Sequence, residues 1–262
     1  MRLDVYLAAK EMTKSRQAAK NLIEEGGVSV NGVTVKKPSA EVTDSDSIEI
    51  TAQLHGYVGR GGLKLEKALE VFGINPEGMV CADMGASTGG FTDCLLKNGA
   101  AYVYAVDVGH GQLAPSLAAD SRVCNMEGVN VRDVSPKDFD RQIQFVTADV
   151  SFISLTKIIP AVSSLLERGG MAVMLIKPQF ECGRADIGKK GIVRSPKVHE
   201  RVLSEITDFL KGCSMGVCGL DHSPVCGGDG NIEYLVFARK DMPSDVYSCR
   251  DTVKNAHEGL RR

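Results

Sequence analysis

The chain has 262 residues, 43% hydrophobic and 24% charged, with 31 Lys and Arg against 33 Asp and Glu. This is an ordinary globular composition, long enough for more than one domain and free of the low-complexity tracts of disordered chains. A formal net charge of -2 excludes a globally basic nucleic-acid binder, no run of about 18 apolar residues offers a membrane span, and 8 cysteines without a CxxC pair argue against a metal site.

Residues 1–53 read as a small, self-contained α+β unit, preceded by no signal peptide, so the expected compartment is the reducing cytoplasm. LDVYLAA and SRQAAKNLIEEG carry helical patterns, with Ser15 as the cap of the second helix and Gly26-Gly27 as its stop. VSVNGVTV follows as a hairpin, because both central residues of a type I′ turn need positive φ and Asn31-Gly32 accepts it; SIEI at 47–50 adds a third strand. Lys10, Lys14, Arg16 and Lys20 share a spacing that gathers them into less than half a helical circumference, a small basic face. Residues 54–60 contain glycine and show no periodicity, which predicts a linker.

Beyond residue 60 the pattern is α/β: helix 63–73, strand 79–84, helix 90–98, strands 101–107, 122–126 and 144–150, helix 153–167, strand 170–177, helix 197–212, and strands 215–222 and 232–239. Strands alternating with helices predict a mostly parallel sheet over 61–243, whose ligands gather at the strands' carboxyl ends. Residues 244–262 read as a tail or short helix.

Two groups of residues fall at those ends. The stretch from Asp83 through Gly85, Ser87, Thr88, Gly89 and Gly90 to Phe91 follows the first strand and opens a helix, so its backbone can approach a ligand. Its Gly-x-x-x-Gly-Gly spacing is not the dinucleotide fingerprint, and Asp83 suits a cationic ligand end better than a phosphate. Asp107, followed by Val108, ends the second strand where an acid accepts ribose hydroxyls, and Asn130 stands after the third as an adenine contact. The second group is Lys64, Asp149, Lys177 and Glu233. Asp149 and Lys177 close the apolar runs QFVTAD and MAVMLIK, Glu233 opens YLVF, and Lys64 comes from before the first strand. Two lysines and two carboxylates in one cleft are formally neutral, and their proximity predicts a lowered pKa for one lysine.

The stretches GRGGLKLEKAL (59–69), DMGASTGGFT (83–92), VDVGHGQL (106–113), ADVSFISL (148–155), IKPQFE (176–181) and GNIEYL (230–235) resemble the FtsJ-type ribose 2′-O-methyltransferases. RLD followed by SR-x-x-A-x-x-LI and VNG resembles the small RNA-binding domain first known from ribosomal protein S-four. Taken together the chain is similar to the TlyA family, historically labelled haemolysins. The resemblance implies a Rossmann-like class I methyltransferase domain, its sheet mostly parallel with a C-terminal antiparallel strand. It implies S-adenosylmethionine as cofactor, held by Asp83, Gly85, Ser87, Thr88, Gly89, Gly90, Phe91, Asp107, Val108, Asn130 and Asp149. The implied reaction is methylation of cytidine 2′-hydroxyls in the ribosomal RNA of ribosomal subunits. Lys64, Asp149, Lys177 and Glu233 match the catalytic tetrad, with Lys177 either removing the hydroxyl proton or only orienting the hydroxyl. Arg2, Lys14, Arg16, Lys20 and Arg60 are the expected RNA contacts.

Other chemistries predict other residues. An amino methyltransferase carries an Asn/Asp-Pro-Pro-aromatic motif where Asp149-Val150-Ser151-Phe152 stands, and a cytosine-carbon methyltransferase needs a nucleophilic cysteine, whereas Cys182 lies beyond the strand end as a packing residue. The alternative readings are a non-catalytic RNA-binding assembly factor and a haemolysin, the latter without a span, a signal peptide or a strongly amphipathic cationic helix.

Overall fold

The structure, a computed structural model, describes residues 1–260 except 14, 25, 51–55 and 229, and residue 21 by its backbone alone. It divides into two compact units, Met1–Arg60 and Gly61–Arg262.

In the N-terminal unit, helices α1 (Leu3–Ala9) and α2 (Arg16–Glu24) pack beside a three-stranded antiparallel sheet ordered β2-β1-β3, with β1 Val28–Val30, β2 Val33–Thr34 and β3 Ile48–Ile50. Its core is Leu3, Leu7, Ala19, Ile23, Val28 and Val42. The hairpin turns at Asn31 (φ 53°) and Gly32 (φ 77°), and Val30 pairs with Val33 across it. Ser15 caps α2 by accepting from the Ala18 N–H at 3.1 Å. The basic face is corrected here. The chain leaves the helix at Ala9 and re-enters at Arg16, so Lys10 is the C-cap of α1 while Arg16 opens α2, and Lys14 lies outside the described residues. Only Arg16 and Lys20 share a helix.

The C-terminal unit holds a seven-stranded sheet ordered β6-β5-β4-β7-β8-β10-β9. Its strands are β4 (Val80–Met84), β5 (Tyr102–Asp107), β6 (Val123–Glu127), β7 (Ile143–Ala148), β8 (Leu166–Ile176), β9 (Met215–His222) and β10 (Tyr234–Lys240). β4 to β8 pair in parallel, and β10 runs antiparallel to both β8 and β9. Helices α3 (Gly61–Phe72), α4 (Gly90–Lys97), α5 (Pro115–Ala118), α6 (Ile159–Leu165), α7 (Pro178–Glu181), α8 (Pro196–Gly212) and α9 (Cys249–Gly259) complete it. β7, apart from the exposed Gln144, and the second half of β8 are buried, as a central parallel sheet requires.

One segment departs from the sequence pattern, and a second takes the helical one of its two expected readings. The predicted helix 153–167 is a 3₁₀ turn at Leu155–Lys157 followed by α6, whose first turn holds Pro160; Pro lacks the N–H that a continuous helix would use. The C-terminal segment is a helix, capped by the Ser248 side chain and burying Val253 and Ala256 in the main core.

The sheet order reverses at β4, with β5 on one side and β7 on the other. The crevice at the carboxyl ends of β4 and β7 is therefore a topological switch point, where open α/β sheets place ligands. Because β10 is antiparallel, its amino end lies on that same edge, which brings Glu233 there.

Candidate active site

Asp149, one residue past β7, joins two lysines. The Lys64 ammonium lies 3.1 Å from Asp149 Oδ2 and 2.7 Å from Glu233 Oε2, while the Lys177 ammonium lies 2.6 Å from Asp149 Oδ1. Lys177 also donates to Ser151 Oγ at 2.9 Å. Lys64, Lys177 and Glu233 are buried, so this is a desolvated chain of alternating charges, Glu233–Lys64–Asp149–Lys177, assembled from α3, the ends of β7 and β8, and the start of β10. Burial opposes the charge on Lys64, yet the Asp149 and Glu233 carboxylates outweigh it and raise the lysine above its ordinary value. Burial by itself would lower Lys64; the shift is upward because two acids flank it in place of a second lysine. Burial likewise opposes the Asp149 charge, and the two ammonium groups overcome it and hold the carboxyl below the usual range.

Beside this chain opens a cavity of about 610 Å³ whose lining includes Gly85, Ser87, Asp107, Val108, Asn130 and Asp149 among the residues anticipated from sequence. Thr88, Gly89, Gly90 and Phe91 do not border it. Gly89 has φ 97°, and a Cβ there would lie 2.3 Å from Leu117 Cδ1. Gly85, at φ 87°, lets the loop approach the Asp149 carbonyl, which a Cβ would meet at 2.9 Å.

Asp83 also stands back from the cavity. Its carboxylate is fully buried, accepting from Thr92 N (2.9 Å), Thr92 Oγ1 (2.8 Å) and Thr147 Oγ1 (3.3 Å), so it ties the loop to α4 and β7 and does not face a ligand. Burial pushes its carboxyl up to about 7, the Thr92 hydrogen bonds opposing and Asp149 adding to the rise. Asp107 does face the cavity, accepting from Ser87 N at 2.8 Å and Gly109 N at 2.7 Å. The Asn130 side-chain oxygen is engaged by its own turn, accepting from Arg132 N at 3.1 Å and Arg132 Nε at 3.2 Å.

Sequence reasoning missed several residues. Gln112, Val131, Arg132, Ser151, Phe152 and Ile153 line the cavity. Glu127, at the end of β6, grips the loop that carries Gln112, accepting main-chain N–H groups from Gly111, Gln112 and Leu113 at 2.8, 2.8 and 3.1 Å. Those bonds hold its carboxyl down to about 2. Phe152 is 91% exposed at φ 63°, with its ring 5.2 Å from that of Phe180. A bulky residue at positive φ is held there by its surroundings, and an aromatic closely following a strand end was the available signal.

In the N-terminal unit, Arg2 and Arg16 both contact Asp4, while Lys10 pairs with Asp44 at 3.0 Å and Lys20 lies 3.9 Å from Glu24. Arg60 is half-buried at the end of that unit.

Residues 57–240 match the model of the FtsJ-like methyltransferase family, and residues 1–48 match the S4 domain. The chain belongs to the TlyA family of FtsJ-like methyltransferases. The Mycobacterium tuberculosis protein named 16S/23S rRNA (cytidine-2'-O)-methyltransferase TlyA is 39% identical, over 97% of this chain and 96% of its own length. Hemolysin A of Brachyspira hyodysenteriae is 45% identical, over 90% of this chain and 98% of its own. A solved structure from Streptococcus thermophilus, 44% identical, covers 100% of this chain and 97% of that one with a TM-score of 0.81. The cavity and its neighbouring charge chain both lie within the matched residues 57–240. No helix among the described residues is long and apolar enough to cross a membrane.

Proposed function

We propose that this TlyA-family chain methylates the 2′-hydroxyl of a cytidine ribose in ribosomal RNA, using S-adenosylmethionine and acting on assembled ribosomal subunits. The observation that carries the reading is the buried Glu233–Lys64–Asp149–Lys177 chain at the mouth of a nucleoside-sized cavity.

The residues present fit the cofactor. Asp107 spends each carboxylate oxygen on one main-chain N–H and retains acceptor capacity for ribose hydroxyls, while Val108, Val131 and Ile153 offer apolar walls to a purine. Glu127 and the glycines at 85 and 89 hold the loops that shape this cradle. When bound, S-adenosylmethionine supplies an electrophilic methyl group.

A ribose hydroxyl is a poor nucleophile near neutral pH, so the reaction needs alignment and a place for the proton. Lys64, flanked by two carboxylates, stays charged and serves to fix Asp149 and Glu233. Lys177 has one carboxylate and one hydroxyl partner, and its ammonium is the group that orients the substrate oxygen and stabilises the negative charge developing there as the proton leaves to water. Asp149 orients that ammonium. Phe152, exposed above Ser151, provides an aromatic face for the target base; stacking of this kind contributes about 1–3 kcal/mol per base.

The test is tritiated methyl transfer from S-adenosylmethionine to purified ribosomal subunits lacking the modification, comparing wild type with Lys177→Ala. The expected result is incorporation mapping to a cytidine 2′-oxygen and a loss of about 10²-fold or more in the variant. Absence of incorporation by the wild type into either subunit, despite cofactor binding, would turn the reading to an RNA-binding assembly factor.

A further inference from the structure

Arg2, Arg16 and Lys20 of the expected RNA contacts and Lys10 of the basic face are divided by their surroundings. Lys10 and Lys20 each have a solvent-exposed acid as neighbour, Asp44 and Glu24, so each of those pairs is locally neutral and loosely held. Arg2 and Arg16 share a single acid of a different kind. Asp4 is 2% exposed, sits in the first turn of α1, and reaches both guanidinium groups. It accepts from Arg2 Nε at 2.9 Å and Arg2 Nη2 at 3.0 Å, from Arg16 Nε at 3.0 Å, and from the Val5 N–H at 3.0 Å.

One carboxylate cannot neutralise two guanidinium groups, so the trio keeps a net positive charge. Asp4 uses only part of each arginine's planar set of donors, and the arginines remain 48% and 59% exposed. The arrangement spans two elements: Arg2 precedes α1 and Arg16 opens α2, and the helices are locked together by Leu3, Leu7, Ala19 and Ile23. Hydrogen bonds from Arg2 hold the Asp4 carboxyl down to about 2 despite its burial, with Arg16 adding to them, so it stays ionised across the working range.

We infer that Asp4 is a positioning residue that fixes Arg2 and Arg16 as one preformed clamp for a backbone phosphate, and that this clamp, more than Lys10 or Lys20, anchors RNA on the N-terminal unit. The inference rests on the RNA reading above and deepens it. The physical reason is entropic: an arginine side chain loses rotamer freedom when it grips a phosphate, and a buried carboxylate that already holds it removes much of that cost. The clamp has an unusual electrostatic signature. Asp4→Asn makes the surface more positive, so simple charge attraction predicts tighter RNA binding, whereas loss of the clamp predicts weaker binding.

The experiment measures equilibrium binding of the full chain to labelled purified ribosomal subunits lacking the modification over a series of salt concentrations, with a thermal melt of each variant. The expected result is that Asp4→Asn binds about tenfold more weakly. Arg16→Lys, which keeps the charge and loses the planar fork, weakens binding comparably with an unchanged slope of log K against log salt. Lys10→Gln and Lys20→Gln change affinity by about twofold or less. An Asp4→Asn chain that melts like the wild type and binds as tightly or more tightly overturns the clamp, as does Arg16→Lys at wild-type affinity. Should Asp4→Asn fail to fold, the Arg16→Lys result decides. A wild-type chain that binds neither subunit at all refutes the RNA reading itself and the clamp with it.

Discussion

Acidification of the His199 network gives a quantitative test of how the strand behind the active site is held. His199 is fully buried, its Nδ1 2.6 Å from the Tyr234 hydroxyl and its Nε2 3.0 Å from the Val193 carbonyl. A carbonyl can only accept, so Nε2 carries the proton and Nδ1 accepts from Tyr234, the residue next to Glu233. Burial holds the imidazole down to about 4, the Val193 carbonyl opposing and neighbouring His257 adding to the depression. The folded pKa lies below the ordinary 6.5, so between the two the unfolded chain binds more protons. The resulting stability is fully present above 6.5 and is lost as pH falls through the window towards 4. With those two values, His199 alone removes about 2 kcal/mol between pH 7.5 and pH 5. Urea unfolding at both pH values, for wild type and His199→Gln, reads this directly. Distant carboxylates contribute equally to both proteins and cancel, while His257, 3.3 Å from His199 Nδ1, is the one coupled neighbour in that comparison. The wild type should lose about 2 kcal/mol more than the variant over this interval. Equal losses would show that His199 titrates normally and would refute the assigned tautomer and burial.

Three further outcomes follow from the site. Lys64→Met leaves Asp149 with Lys177 alone and takes from buried Glu233 its lysine; breaking a buried pair costs about 3–5 kcal/mol, and thermal melts should show the loss alongside abolished methyl transfer. A wild-type melting temperature would contradict the chain of charges. Asp83→Asn should gain stability relative to the wild type as pH rises from 4 to 7, because the folded wild type binds the extra proton in that window and pays for ionising a buried acid above it. A pH-independent difference would mean that Asp83 ionises normally. Gly89→Ala should cost about 2 kcal/mol by pressing a Cβ on Leu113 and Leu117 at positive φ, and urea midpoints matching the wild type would disprove that packing.

Much of the site was legible because the sequence encodes it through local rules. Apolar runs ending in Asp149 and Lys177 mark buried parallel strands, and the strand direction alone sends their ends to one edge. Asn31-Gly32 specifies its turn through backbone sterics, and Ser15 its helix start through one side-chain bond. What the tertiary structure decided is where charged side chains point and which partners they meet. Asp83 precedes a glycine loop as a ligand-facing acid would, yet Thr92 and Thr147 offer it donors inside the protein, and no spacing rule reveals donors from two other elements. Lys10 and Arg16 lie close in sequence but do not share a helix, because α1 ends at Ala9 and α2 begins at Arg16. The upward shift of Lys64 depends on Asp149 and Glu233, respectively 85 and 169 residues away along the chain, reaching the same ammonium. Periodicity determines elements and their ends; electrostatics and hydrogen bonding act through space, so only the folded sheet fixes which groups become partners.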